Sequence, residues 1–91
     1  MITPELVTQI ADFIEQQGVQ QLGETLVQQL RQQYAGIHFT YCFDDEIVVI
    51  QPVLKRSYFN IYLVDGHQHC LCLTLDYQVA TGLVLAEITE E

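Results

Sequence analysis

Three stretches of this 91-residue chain, Ile37 to Phe43, Tyr58 to Val64 and His69 to Leu75, contain no Asp, Glu, Lys or Arg. Each has the length and the β-branched and aromatic content of a strand. In the first, Ile37, Phe39, Tyr41 and Phe43 alternate with His38, Thr40 and Cys42, so the two sets fall on opposite faces. A sheet built from such strands has neither face suited to water. Something must cover it twice.

The first cover is legible upstream. Thr3 is an N-cap, Pro4 suits the first helical position and Glu5 the first turn, followed by Leu6, Ile10 and Ile14 with Val7, Ala11 and Phe13 beside them. This predicts a helix from about Pro4 to Gln17, ended by Gly18. A second apolar stripe through Val19, Leu22, Leu26, Val27, Leu30 and Tyr34 predicts another helix, stopped at Ala35-Gly36. Glutamine pairs at 16-17, 20-21, 28-29 and 32-33 form the solvated faces, since glutamine is a good helix former that adds no charge. The two helices are expected to form a hairpin.

The fold class expected is α+β: an N-terminal helical hairpin packed on a mainly antiparallel sheet of four to five strands, in one domain spanning residues 1–91. Asp44-Asp45 reads as a tight turn into a strand over Glu46–Gln51, setting Phe39 opposite Ile50 and Tyr41 opposite Val48. Pro52 ends that strand or marks it as an edge. Asp65-Gly66 reads as a hairpin turn between strands over Tyr58–Val64 and His67–Leu75. A three-residue loop with Gly66 left-handed would put Leu71 and Leu73 on the face of Phe59, Ile61 and Leu63, and a two-residue loop would put Cys70 and Cys72 there instead; the former is the register expected. Asp76–Gly82 is a connection to a last strand, Leu83 to Ile88.

The second cover is the less determined. With the helices on one face, Tyr62, Val64, Val49, Ile47, Tyr58, Cys70 and Cys72 would form an apolar patch larger than monomers usually expose. A homodimer burying that face is therefore expected, with Tyr58, Tyr62, Val64 and Val49 at the protein interface. In the alternative, the sheet curls and the last strand or the 76–82 connection covers it.

Composition bounds the partners. Twelve acidic residues against Arg31, Lys55 and Arg56 give a net charge of -9, which repels nucleic acid and anionic lipid. No stretch approaches 18 uninterrupted apolar residues and the start lacks a basic, then apolar, leader, so the chain reads as cytoplasmic, with no membrane partner. There, three cysteines stay reduced by default. The hydrophobic share of 49% against 16% charged argues for a folded domain with some apolar surface left for a partner.

The densest chemistry is His67-Gln68-His69-Cys70-Leu71-Cys72. In a strand Cys70 and Cys72 share one face and His67 and His69 the other, so one ion cannot take all four. A metal site would draw on Cys70 and Cys72, with Cys42 or His69 completing it, for zinc, copper or an iron-sulfur cluster. Against this, paired motifs at zinc spacing are absent, and cysteine commonly serves as a small buried hydrophobe; the leading expectation is no cofactor. His38 and Cys42 are roughly 13 Å apart along a regular strand and cannot pair. Asp44-Asp45-Glu46 is read as a solvated turn in preference to a calcium or acid/base site, and Lys55-Arg56-Ser57 as a polar loop in preference to an anion site. There is no triad, phosphate loop or dinucleotide fingerprint, hence no catalytic residue to assign. Enzyme activity is the minority reading.

The segments Phe39-Thr40-Tyr41-Cys42, Tyr62-Leu63-Val64-Asp65-Gly66, His69-Cys70-Leu71 and Ala80-Thr81-Gly82-Leu83-Val84-Leu85-Ala86-Glu87 resemble a family of small uncharacterised bacterial proteins encoded near nitrogen-fixation genes. The resemblance implies a diazotroph's cytoplasm and an accessory role around nitrogenase, with no catalytic residue to carry over. The function expected is a dimeric, non-enzymatic accessory or protein-binding module that docks on a larger protein; the alternative is a metal or iron-sulfur carrier.

Overall fold

The computed structural model describes residues 2–18, 22–47, 50–66 and 72–88. Helix α1 runs Pro4–Gln17, with the Thr3 hydroxyl accepting from the Leu6 N–H at 3.1 Å and Gly18 closing it at φ +88°. These are the bounds its caps predict, because capping is local chemistry. Helix α2 is shorter than its apolar stripe. It spans Glu24–Gln33, because Gly23 at its N-cap sits at φ +138°, a conformation that cannot belong to a helix interior. Leu22 therefore packs on the core from outside the helix.

Strand β1 (His38–Phe43) is followed by a 3-10 turn, Asp44–Glu46, then β2 (Leu54–Lys55), β3 (Phe59–Asp65), β4 (Cys72–Thr74) and β5 (Gly82–Glu87). The sheet is mixed. β5 lies between β1 and β3, parallel to the first and antiparallel to the second, while β2 and β4 share the far edge of β3. Among the described residues, the expected pairing of β1 with a Glu46–Gln51 strand is not present. Residues 44–46 coil instead, with the Ile47 N–H on the Asp44 carbonyl at 3.0 Å. Of the expected partners in that hairpin, Ile50 packs on the outer sheet face, and Val48 lies outside the described residues. The last strand is thus central and covers neither face.

The β3–β4 register also differs from expectation. Val64 faces Leu73 and Asp65 faces Cys72, so Leu73 lies on the face of Val64 and Cys72 on the face of Leu63. Gly66 is not left-handed; its N–H donates to the Thr81 hydroxyl at 2.8 Å, and the Thr81 N–H donates to the Val64 carbonyl at 2.7 Å. Thr81 clamps the end of β3 at the place of the expected tight turn. Leu71 lies outside the described residues.

Both faces are buried. Phe39, Phe59, Ile61, Leu63, Leu83 and Leu85 pack beneath Val7, Ile10, Ile14, Leu26, Val27 and Leu30 of the helices. On the outer face Tyr62, Val64, Val84 and Ala86 form a second cluster, covered by Ile47, Ile50, Leu73 and Cys42. The second cover is therefore the segment between β1 and β2, crossing the sheet. Tyr62 and Val64, the expected interface residues, are only 3% and 5% exposed. Tyr58 belongs to the other side: its hydroxyl donates to the Glu15 carbonyl at 3.2 Å and it packs with the helix cluster. Val49 lies outside the described residues.

One backbone contact fixes how closely β1 and β5 approach. A Cβ at Gly82 would stand 2.5 Å from the His38 carbonyl oxygen and 2.7 Å from its Cβ, and strand backbones cannot yield that distance without separating. Gly82→Ala is expected to destabilise the chain by about 1–3 kcal/mol, read as a lower urea midpoint at unchanged slope.

Candidate functional site

The parallel register carries Cys42, Ala86 and Asn60 side by side across β1, β5 and β3. Directly opposed residues share a face, so these three look outward, toward the crossing segment. Ala86, in the middle, is fully buried. Asp44 closes over it. Its Oδ1 accepts from the Asn60 amide at 2.9 Å and from the Tyr62 hydroxyl at 2.8 Å. Asn60 is 8% exposed, and its Oδ1 is buried with no hydrogen-bond partner. Cys42, Asp44, Asn60 and Tyr62 are the most concentrated polar group within the described interior.

Its electrostatics favour protonated acids. Burial, then the hydrogen bond and charge of Asp44, push the Tyr62 phenol up to about 12. Burial, followed by Glu46, Asp44 and Asp45, raises the Cys42 thiol above its ordinary value. A thiolate nucleophile needs the opposite setting. The group acts as a clip: two neutral donors grip one carboxylate and hold the crossing segment on the sheet, a charge-assisted arrangement stronger than neutral pairs.

A second phenol-carboxylate pair sits on the helix side, where the Tyr41 hydroxyl donates to Glu87 Oε1. Burial, Glu87, and more distantly Cys42 and Glu24 push Tyr41 up to about 12. The arginines are also engaged within the chain. Arg56 lies between Asp12 at 3.1 Å and Glu15 at 3.2 Å, joining β2's end to α1. Arg31 donates to the Phe39 carbonyl at 2.9 Å. The Lys55-Arg56 basic spot is accordingly half committed to the chain's own carboxylates.

The expected metal ligands do not converge where they are described. Cys42 aligns through Ala86 with Asn60, whereas Cys72 aligns with Asp65, five residues further along β3 and on the opposite face. Strand spacing and rise put the two on the order of 20 Å apart, while zinc holds thiolates at about 2.3 Å. Cys42 cannot join Cys72 in one site. Cys70 and His69 lie outside the described residues, as does His67. Among the described residues, no three His, Cys, Asp or Glu side chains group as a metal site would require.

Sequence reading passed over Asn60 and gave Asp44 to a solvated turn. A signal existed: Asn60 is the lone amide in the uncharged run Tyr58–Val64, and a buried amide demands a partner. Only the pairing of distant segments identifies that partner as Asp44.

Fold and site together define a small α+β domain with two helices on one face of a mixed five-stranded sheet and a clipped crossing segment on the other. The chain belongs to the family of unknown function DUF6129, whose model matches residues 13–88, most of its length and all the strands. No curated protein and no solved structure matches it.

Asp44→Ala strands both donors and is expected to cost about 3 kcal/mol, against about 1–2 kcal/mol for Tyr62→Phe, by urea denaturation. The alkaline limb provides a separate check. A phenol raised in the fold contributes stability that is complete below its unfolded value near 10 and is lost as pH rises through its folded value near 12. The unfolding midpoint should fall between pH 10 and 12, and less steeply in Tyr62→Phe. Alkylation at pH 7.5 with peptide mapping should label exposed Cys72 well before half-buried Cys42.

Proposed function

We propose that this chain is a non-enzymatic protein-binding module that docks through its acidic surface on a basic face of a larger protein. The observation that carries the reading is the unequal use of charge. Of three basic side chains, Arg31 and Arg56 are occupied by the chain's own carbonyl and carboxylates. Of twelve acidic ones, exposed Glu5, Glu24, Asp45 and Asp76 stand on helix, turn and loop surfaces. With all three cations counted, the twelve acidic residues still leave a net charge of -9. Such a field steers encounter with cationic surfaces and weakens as salt is raised.

The context we propose is the cytoplasm of a nitrogen-fixing bacterium, with the partner among the proteins that serve nitrogenase. It rests on the strand and turn segments from Phe39 to Cys42, Tyr62 to Gly66 and Ala80 to Glu87. No helix among the described residues is long and apolar enough to cross a membrane.

The test is affinity capture on the tagged full chain from extract of nitrogen-fixing cells, at low and at raised salt, with native mass spectrometry of the bait. A stoichiometric partner that is released by salt, on a metal-free bait, is the expected result. Retention of one metal or cluster per chain with no partner would replace this reading with the carrier function.

A further inference from the structure

The outer edge of β1 is built to pair with another strand. In the parallel β1–β5 ladder the His38 N–H reaches the Thr81 carbonyl, so His38, Thr40 and Cys42 direct their backbone groups at β5. Phe39, Tyr41 and Phe43 direct theirs outward. Edge strands are ordinarily guarded by charged side chains, proline or bulges, yet His38–Phe43 has none of these along six residues. The chain protects only the two ends of the row. Arg31 caps the outward Phe39 carbonyl at 2.9 Å, and Glu46 accepts the outward Phe43 N–H at 3.1 Å. Between them the N–H and C=O of Tyr41 have no partner among the described residues. Phe43 is one of two large apolar side chains exposed among the described residues, at 40%.

From this geometry we infer that the chain self-associates by antiparallel pairing of β1 with β1 of a second copy, centred on Tyr41. The charges select the occupant and the direction. The cap at the Phe39 end is a cation and the cap at the Phe43 end an anion. A twofold axis at Tyr41 sets Phe39 opposite Phe43 of the second copy. When the backbone groups pair across the axis, Arg31 and the second copy's Glu46 are released side by side, and the same happens at the other end. A parallel alignment would bring like charges together at both ends. In the antiparallel register the two Tyr41 residues exchange both backbone bonds, and Thr40 faces Cys42 of the second copy at a close, non-hydrogen-bonded position. The sheet becomes continuous across ten strands. This interface uses the sheet edge and leaves the buried outer face of each subunit intact, and it stands or falls independently of docking to a larger partner.

Sedimentation equilibrium of the full chain at physiological salt tests it. A dimer is expected. Arg31→Glu and Glu46→Arg should each weaken it by about tenfold or more through like-charge contact, with circular dichroism confirming the fold, and the Arg31→Glu, Glu46→Arg double variant should restore it. Under mild oxidation, Thr40→Cys should form a disulfide between the introduced thiol and Cys42 of the other copy, found by peptide mapping. A monomeric wild-type chain, a double variant no tighter than the singles, or a link joining two introduced thiols would each overturn the inference; the last would replace the Tyr41-centred register by one centred on Thr40.

Discussion

The hold of Asp44 on Tyr62 and Asn60 decides how this chain closes. Strands that carry no charge on either face have to be covered on both, and 91 residues with two short helices can cover only one. The other cover is a length of chain without regular structure, whose own backbone groups and carboxylates must sit beside an apolar sheet. A carboxylate gripped by a phenol and an amide supplies the anchoring that such a segment lacks. It holds the turn after β1 over the sheet, which lets Ile47 and Ile50 reach Tyr62, Val64 and Ala86. It also prevents the chain from doubling back beside β1. β5 pairs with one side of β1, and the other side has no strand partner among the described residues.

How much of this could be read from sequence follows from the range of each interaction. Helix α1 is specified by Thr3, Pro4 and Gly18 within one turn of its ends, so its bounds and buried face are legible without any tertiary information. The strand alternation from Phe39 to Phe43 and from Phe59 to Leu63 is equally local, and the faces it assigns to those residues are the ones observed. Pairing is different. Asp44-Asp45 between two apolar runs favours a hairpin on local grounds, and it yields to a contact sixteen residues away with Asn60. The helix stripe beginning at Val19 is interrupted at Gly23, where one backbone angle outweighs the periodicity. The Asp65-Gly66 hairpin is likewise displaced by Thr81, whose two bonds to Gly66 and Val64 fix the strand end from a segment fifteen residues on.

The cysteines illustrate the same limit for a candidate site. Spacing alone makes Cys42, Cys70 and Cys72 a conceivable set because nothing in the sequence fixes which strands neighbour one another. Once β5 and β3 stand between β1 and β4, Cys42 and Cys72 are separated by lateral distance, by position along the strand and by sheet face. Cys42 then has a packing role beside Ala86, as small thiols often do. The polar residues that the fold brings together come from a turn and a strand that look unremarkable separately.

The acidic character of the chain acts on its own groups and on its surroundings through one field. Inside, burial first and then the carboxylates near β1 raise the Cys42 thiol and the Tyr41 and Tyr62 phenols above their ordinary values, which extends the range over which the phenols donate into alkaline pH. Outside, the same excess of carboxylates, twelve against three cations, attracts cationic surfaces. A chain with so few cations to offset its anions is suited to a basic partner. Arg31 also fits the pairing inferred at the β1 edge: a single cation beside the Phe39 carbonyl, matched by Glu46 at the far end, makes that edge self-complementary on a chain whose net charge repels a second copy. The two recognitions therefore respond oppositely to design by charge alone, the basic partner to the total and the second copy to the order of charges along six residues.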